Sequence, residues 1–216
     1  MKTFIIAIVI IISSLNLYTQ EKTGEMETIF GDKEYQSGYY GCPEVKYTQF
    51  NDQMEIMVGG RGGWIINHTF SIGLAGYGLV TNSEVNSGYI PRDSLDLRPY
   101  YVQTGMGGIF LQYTYSSNSM IHFTVNSLIG AGGASYTPNM RGMNTNMGFD
   151  YNNRNYDQSA FFVFEPGIGV EMNIFRFFRV ELGGSYRIIS GLDLPKVDNS
   201  SFGGASVNLA FKFGNF

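Results

Sequence analysis

Few side chains in this sequence are equipped for catalysis. There are two histidines, His68 and His122, and a single cysteine, Cys42. A lipid-modifying site of the acylhydrolase or acyltransferase type needs a histidine beside a serine nucleophile and an acid. His68 falls in a short predicted turn and His122 opens a predicted strand, each without an evident serine and acid partner. Ser127 shares that strand with His122 at an odd spacing, so the two side chains point apart. A single cysteine excludes an internal disulfide and a CxxC metal knuckle. Cys42 reads as a small residue in a Gly41-Cys42-Pro43 turn. The glycine-rich stretches 59–63, 105–108 and 130–133 do not open helices. They also lack the Lys-Ser/Thr pair of a phosphate loop. No catalytic residue, metal ligand or cofactor is predicted.

The charges are more informative. Lys46, Glu55, Arg61, Glu165, Glu171, Arg179, Glu181, Arg187 and Lys212 fall on one parity of alternating segments, and the opposite parity carries almost none. Buried charges persist only when paired. This near-balanced set is therefore expected to form a charge network inside a closed sheet. In the expected register Glu171 lies opposite Arg179, and Glu165 lies diagonal to Arg187, because like charges across a ladder repel.

The elements that position these charges follow from polarity of period two. It recurs at 45–49, 54–64, 70–77, 108–115, 121–131, 162–172, 178–188 and 206–213, eight predicted strands. No sustained helical period appears after residue 20. Links at 65–69 and 116–120, and around Phe175 and Arg176, are short. Links at 81–99, 136–159 and 191–201 are long. Short and long links alternate, except that the first hairpin, 51–53, is also short; this parity matches an outer-membrane barrel, with short periplasmic turns and longer extracellular loops. The fold class expected is all-β, an eight-stranded antiparallel up-and-down transmembrane β-barrel. An interior of this size is just wide enough for side chains, which argues against an open pore.

Composition agrees. Charged residues make up 15% of the 216 residues, against about 25% in soluble domains. The chain holds 28 Gly, 15 Tyr and 17 Phe. Mean hydropathy is only -0.06, too low for a bundle of membrane helices. A net charge of -4 argues against a nucleic-acid binder. Trp64, Phe70, Tyr113, Tyr115, Phe123, Phe177, Phe178 and Phe213, with Phe175 and Phe216, fall near the short-turn ends or the C-terminus. They are expected to form an aromatic ring at one membrane interface. Tyr77, Tyr101, Tyr136 and Phe161 are expected near the other interface.

Residues 1–19 read as a signal peptide. Lys2 is followed by an uninterrupted apolar run, 4–12, too short to span a bilayer. Cleavage is expected between Thr19 and Gln20. Residues 20–43 read as a short periplasmic lead-in and 44–216 as the barrel.

Several segments resemble the small outer-membrane β-barrel proteins of Bacteroidota-type bacteria, within the broader class of OmpA- and OmpX-like barrels. They are Gly59-Gly60-Arg61-Gly62-Gly63-Trp64-Ile65-Ile66-Asn67-His68, Glu165-Pro166-Gly167, Gly183-Gly184-Ser185-Tyr186-Arg187 and Phe211-Lys212-Phe213-Gly214-Asn215-Phe216. The terminal phenylalanine after an alternating strand resembles the signal read by the barrel-insertion machinery, although Phe216 is out of phase with Phe211 and Phe213. The resemblance implies an integral outer-membrane protein with periplasmic termini and contacts to outer-membrane lipid and lipopolysaccharide. It leaves open a protein partner, including a secretion, gliding or envelope-assembly complex.

Overall fold

Alternating side chains make strands because successive Cβ atoms leave opposite faces of a pleated chain. The computed structural model describes residues 36–50, 53–81, 83–84, 100–138, 157–195 and 197–216. The strands are β1 (Ser37–Phe50), β2 (Gln53–Ile66), β3 (Phe70–Leu79), the two-residue β4 (Ser83–Glu84) and β5 (Tyr100–Tyr115). They continue with β6 (Ile121–Pro138), β7 (Gln158–Phe175), β8 (Phe178–Ser190) and β9 (Gly204–Asn215). A single helical turn, α1 (Asn199–Phe202), precedes β9. The eight long strands pair antiparallel in chain order, and β4 adds a short ladder to the edge of β5. Pairing of β3 with β5 and of β1 with β9 closes the sheet into an eight-stranded up-and-down barrel.

At one end the turns are tight. Between β2 and β3 the Thr69 N–H donates to the Ile66 carbonyl at 3.1 Å. Asn67 and His68 there take φ values of 51° and 56°, the mirror-image turn that matches strand twist. Arg176 and Phe177 alone link β7 to β8. Glycine is required where adjacent strands crowd. Gly63 faces Gly73 across β2 and β3, and a Cβ on either would overlap the backbone of the other strand.

The other end is closed by the chain between β8 and β9. The sequence pattern places 191–201 among the long loops presented outside. Instead Leu192, Leu194, Val197 and Phe202 are buried with Phe50, Val102, Tyr136 and Phe161 across the barrel mouth. The Phe202 ring lies 4.3 Å from Phe50 and 5.8 Å from Phe161, centroid to centroid. The Tyr136 hydroxyl donates to the Pro195 carbonyl at 2.5 Å. Asp198 caps α1 by accepting the Ser201 N–H at 2.9 Å and both the Ser200 and Ser201 hydroxyls at 2.8 Å. These bonds hold its carboxyl down at about 2. Four scattered apolar residues among Asp, Ser and Asn show no period, and burial of those four shapes the segment.

Several boundaries differ from expectation: β5 begins at Tyr100 rather than 108, β6 runs on to Pro138 rather than 131, and β7 begins at Gln158 rather than 162. β1 begins at Ser37, so residues 37–43 belong to the barrel and not to the lead-in. Cys42 lies within that strand, 5% exposed and facing inward, rather than in a turn. Pro43 explains why the strand is hard to see. It lacks an N–H, and the β1–β9 ladder skips Cys42 and Pro43 while the β1–β2 ladder continues through both. The expected signal peptide and most of the long loops 81–99 and 136–159 lie outside the described residues.

Candidate functional site

The barrel is inside out relative to a soluble protein. Its exterior carries Val45, Ile56, Leu74, Ile109, Val125, Ile168, Leu182 and Val207, each at least 38% exposed and spread over all eight long strands. Its interior carries the charges. Lys46, Glu55, Arg61, Glu165, Glu171, Glu181, Arg187 and Lys212 are buried, and Arg179 is 11% exposed along its side chain. Glu44 joins them, 2% exposed. It lies one position before the expected start of the strand at Val45, and period-two alternation carried back from Lys46 reaches it. With Glu44, five carboxylates face five Lys and Arg side chains.

The charges are layered rather than paired across the ladder. Glu171 is the direct partner of Glu181, and Ala210 separates Glu181 from Glu44 along the same row. One step toward the tight turns, Arg179 is the partner of Lys212, and Arg61 is the partner of Cys42. A row of acids thus stacks on a row of bases, and attraction runs along the strands. This corrects the expected register, in which Glu171 lay opposite Arg179; Asn173 holds that place. Glu171 and Arg179 still meet diagonally at 2.9 Å. Lys212, from the next strand, resolves the acid–acid juxtaposition. Its ammonium bonds Glu171 and reaches Glu181 at 2.5 Å. Pairwise reasoning over two strands could not see a lysine on a third.

The network continues inward. Arg61 lies 2.9 Å from Glu181 and 3.2 Å from Glu44. The Tyr77 hydroxyl donates to Glu44 at 3.0 Å. Lys46 and the Ser185 hydroxyl each donate to Glu165 at 2.6 Å. Arg187 lies across from Glu165 on the neighbouring strand, but its hydrogen bonds go elsewhere. It donates to the Phe202 carbonyl at 2.7 Å, the Thr48 hydroxyl at 2.8 Å and the Gln49 carbonyl at 3.1 Å, tying the mouth segment to β1. Glu55 is buried without an ion-pair partner among the described residues.

His122 also faces inward, 1% exposed. Sequence reasoning gave it no acid partner, but Glu171 on the adjacent strand lies 2.9 Å from Nε2, and the Ser119 carbonyl lies 3.2 Å from Nδ1. Both nitrogens are engaged by acceptors, so neither is left to activate a nucleophile. Among the described residues no group of three or more His, Cys, Asp and Glu side chains could hold a metal ion. The glycine-rich stretches lie within β2, β5 and β6.

The aromatics divide by face. Trp64, Phe70, Tyr113, Tyr115, Phe123, Phe175, Phe177 and Phe213 are exposed on the outside near the tight turns. Phe178 is half-buried and stacks on Phe213 at 4.8 Å. Phe216 instead covers the Arg179 guanidinium at 3.9 Å. Tyr77, Tyr136 and Phe161 point into the barrel and do not form the expected second ring. Their parity within β3, β6 and β7 is the inward one, and an aromatic there fills the lumen.

No protein-family model matches the chain, and no curated protein matches it. Among solved structures, Neisserial surface protein A (NspA) is similar at 11% identity, over 85% of this chain and 99% of that one, with a TM-score of 0.48. Ail, the attachment invasion locus protein of Yersinia pestis, in complex with the heparin analogue sucrose octasulfate, is similar at 10% identity, over 84% and 99%, with a TM-score of 0.48.

Proposed function

We propose that the chain is an integral outer-membrane β-barrel protein with a structural or interaction role. It is anchored by its apolar belt, with a plugged, salt-bridged lumen and loops displayed outside. The observation that carries this reading is the inversion of faces. An apolar surface around every strand would aggregate in water. In hydrocarbon it is required, and a closed barrel satisfies every backbone group internally. The exposed aromatics near the tight turns support a periplasmic placement for that end, and with it for Gln36 and Phe216. Outer-membrane lipid and lipopolysaccharide then surround the belt, and the barrel-insertion machinery is the biogenesis partner. A protein partner, if present, meets the loops at the opposite end.

The role is non-enzymatic in this reading. The engaged nitrogens of His122 and the outward parity of Ser127 argue against a lipid-modifying site. The barrel itself is the functional unit, as a rigid platform sealed by the mouth segment. The test is fractionation with gel mobility. The protein is expected in outer membranes, migrating faster before boiling in SDS than after. Recovery as a soluble monomer without detergent would refute the reading.

A further inference from the structure

We propose that the mouth segment, 191–203, is a hinged lid that lifts off the barrel as one body, and that Arg187 exchanges the Phe202 carbonyl for Glu55 when it does.

The segment is bonded chiefly to itself. The Val197 N–H donates to the Leu194 carbonyl at 3.2 Å, and the Gly203 N–H to the Asn199 carbonyl at 3.0 Å. The Leu192 N–H donates to the Asn199 side-chain oxygen at 3.0 Å, and Asp198 adds the cap on α1. Among the described residues no backbone–backbone hydrogen bond joins the segment to the barrel. The bonds that do so all use a side chain. Tyr136 donates to the Pro195 carbonyl, the Asp193 N–H donates to the Ser159 hydroxyl at 2.8 Å, and Arg187 donates to the Phe202 carbonyl. A compact loop with close ends and internal packing opens as a unit. Its two ends are built to turn. Gly191 and Gly204 are the glycines of positive φ among the described residues, at 87° and 155°. That backbone is open to glycine and strained for other residues, and hinges are a few such positions at element ends. Lifting the segment breaks no strand ladder. It uncovers an apolar seat made by Phe50, Val102, Tyr136 and Phe161.

Beneath the lid two opposite charges are buried without an ion pair among the described residues, Arg187 at 3% exposure and Glu55 at 6%. Isolated buried charges are costly. Arg187 spends its donors on two carbonyls, a hydroxyl and the Met57 thioether, a weak acceptor. Its guanidinium thereby touches both inward neighbours of Glu55. Thr48 is the direct ladder partner of Glu55, and Met57 is the next inward residue on β2. Glu165, the acid on the neighbouring strand, is bonded by Lys46 and Ser185. In the closed position the Phe202 carbonyl holds Arg187 Nε. Once the lid carries that carbonyl away, Nε has no acceptor, and the guanidinium is free to turn to Glu55.

The test is native-state hydrogen exchange on the intact protein in detergent. The amides of Leu192, Asp193, Val197, Ser201 and Gly203 all donate hydrogen bonds in the closed position. They are expected to exchange together, faster than the amides of β8 and β9. Low urea should accelerate them alike, because lifting exposes Leu192, Leu194, Val197 and Phe202. Glu55→Gln removes the ion pair of the open position and should slow this exchange at least about tenfold. In an Arg187→Met background the same substitution should have no such effect. Exchange of these amides only through global unfolding, or with unrelated rates and urea responses, overturns the lid. Unchanged or faster exchange in Glu55→Gln, or equal slowing with and without Arg187, overturns the change of partner. The measurement on the unmodified protein decides the lid even if a variant fails to fold.

Discussion

Lys212→Met removes the one cation among the described residues that touches both members of the acid pair. In the folded barrel Lys212 is buried, bonds Glu171, lies 2.5 Å from Glu181 and also donates to Gln112 at 3.0 Å. Methionine matches the length of the stem, so packing is largely kept and the loss is electrostatic. Glu171 and Glu181 then face each other as direct ladder partners. Glu171 keeps Arg179 and His122, and Glu181 keeps Arg61, so neither is bare. Breaking a buried pair by removing one partner costs roughly 3–5 kcal/mol. At about 1.4 kcal/mol per tenfold, the folding equilibrium should fall between a hundredfold and a few thousandfold. The assay is urea unfolding in lipid vesicles, followed by the fluorescence of the single tryptophan, Trp64. Adding Glu181→Gln removes the excess negative charge and should restore more than half of the loss, a coupling a double-mutant cycle reads directly. An unchanged midpoint for Lys212→Met, or no rescue by Glu181→Gln, would refute the layered-charge account.

Other perturbations rank below or beside that one. Arg179→Ala should shift the midpoint less than Lys212→Met, because Arg179 is partly exposed and Glu171 retains two other donors; an equal or larger shift would contradict this order. Phe202→Ala should cost about 3–5 kcal/mol, as for a large aromatic lost from a packed core. The same variant should speed hydrogen exchange across 191–203, and unchanged exchange would show that the mouth segment does not depend on that ring. The Asp198 carboxyl has its pKa depressed to about 2 by the Ser200 and Ser201 bonds. Its contribution is therefore present above the unfolded value near 4 and is lost as pH falls through about 2. Exchange at the Ser201 amide should rise over that window and be raised at neutral pH in Asp198→Ala. Flat protection in both would remove the cap.

How much was legible depends on where period two survives. From β2 to β9 the alternation of single residues located every long strand, because a strand with one face in lipid and one in a charged lumen cannot slip by one residue without inverting both. β1 was cut short where Gly38, Gly41 and Pro43 dilute the pattern, and Glu44 was lost with it. The glycine runs lie within β2, β5 and β6, and the Gly63–Gly73 contact shows them relieving crowding between strands. What escaped was the three-strand logic of the charges. Glu171 opposite Glu181 looks forbidden until Lys212 on β9 is placed between them. The mouth segment escaped for another reason. Leu192, Leu194, Val197 and Phe202 are spaced for neither helix nor strand, and their burial is decided by a cavity that exists only once the barrel has closed.

The inside-out assignment is tested most directly at Trp64. Its side chain stands on the outside of β2, 69% exposed, beside a tight turn. In reconstituted vesicles its fluorescence should be quenched by lipids brominated near the headgroup end of the acyl chain and be insensitive to aqueous iodide. Quenching by iodide with no response to brominated lipid would place that face in water and contradict the account.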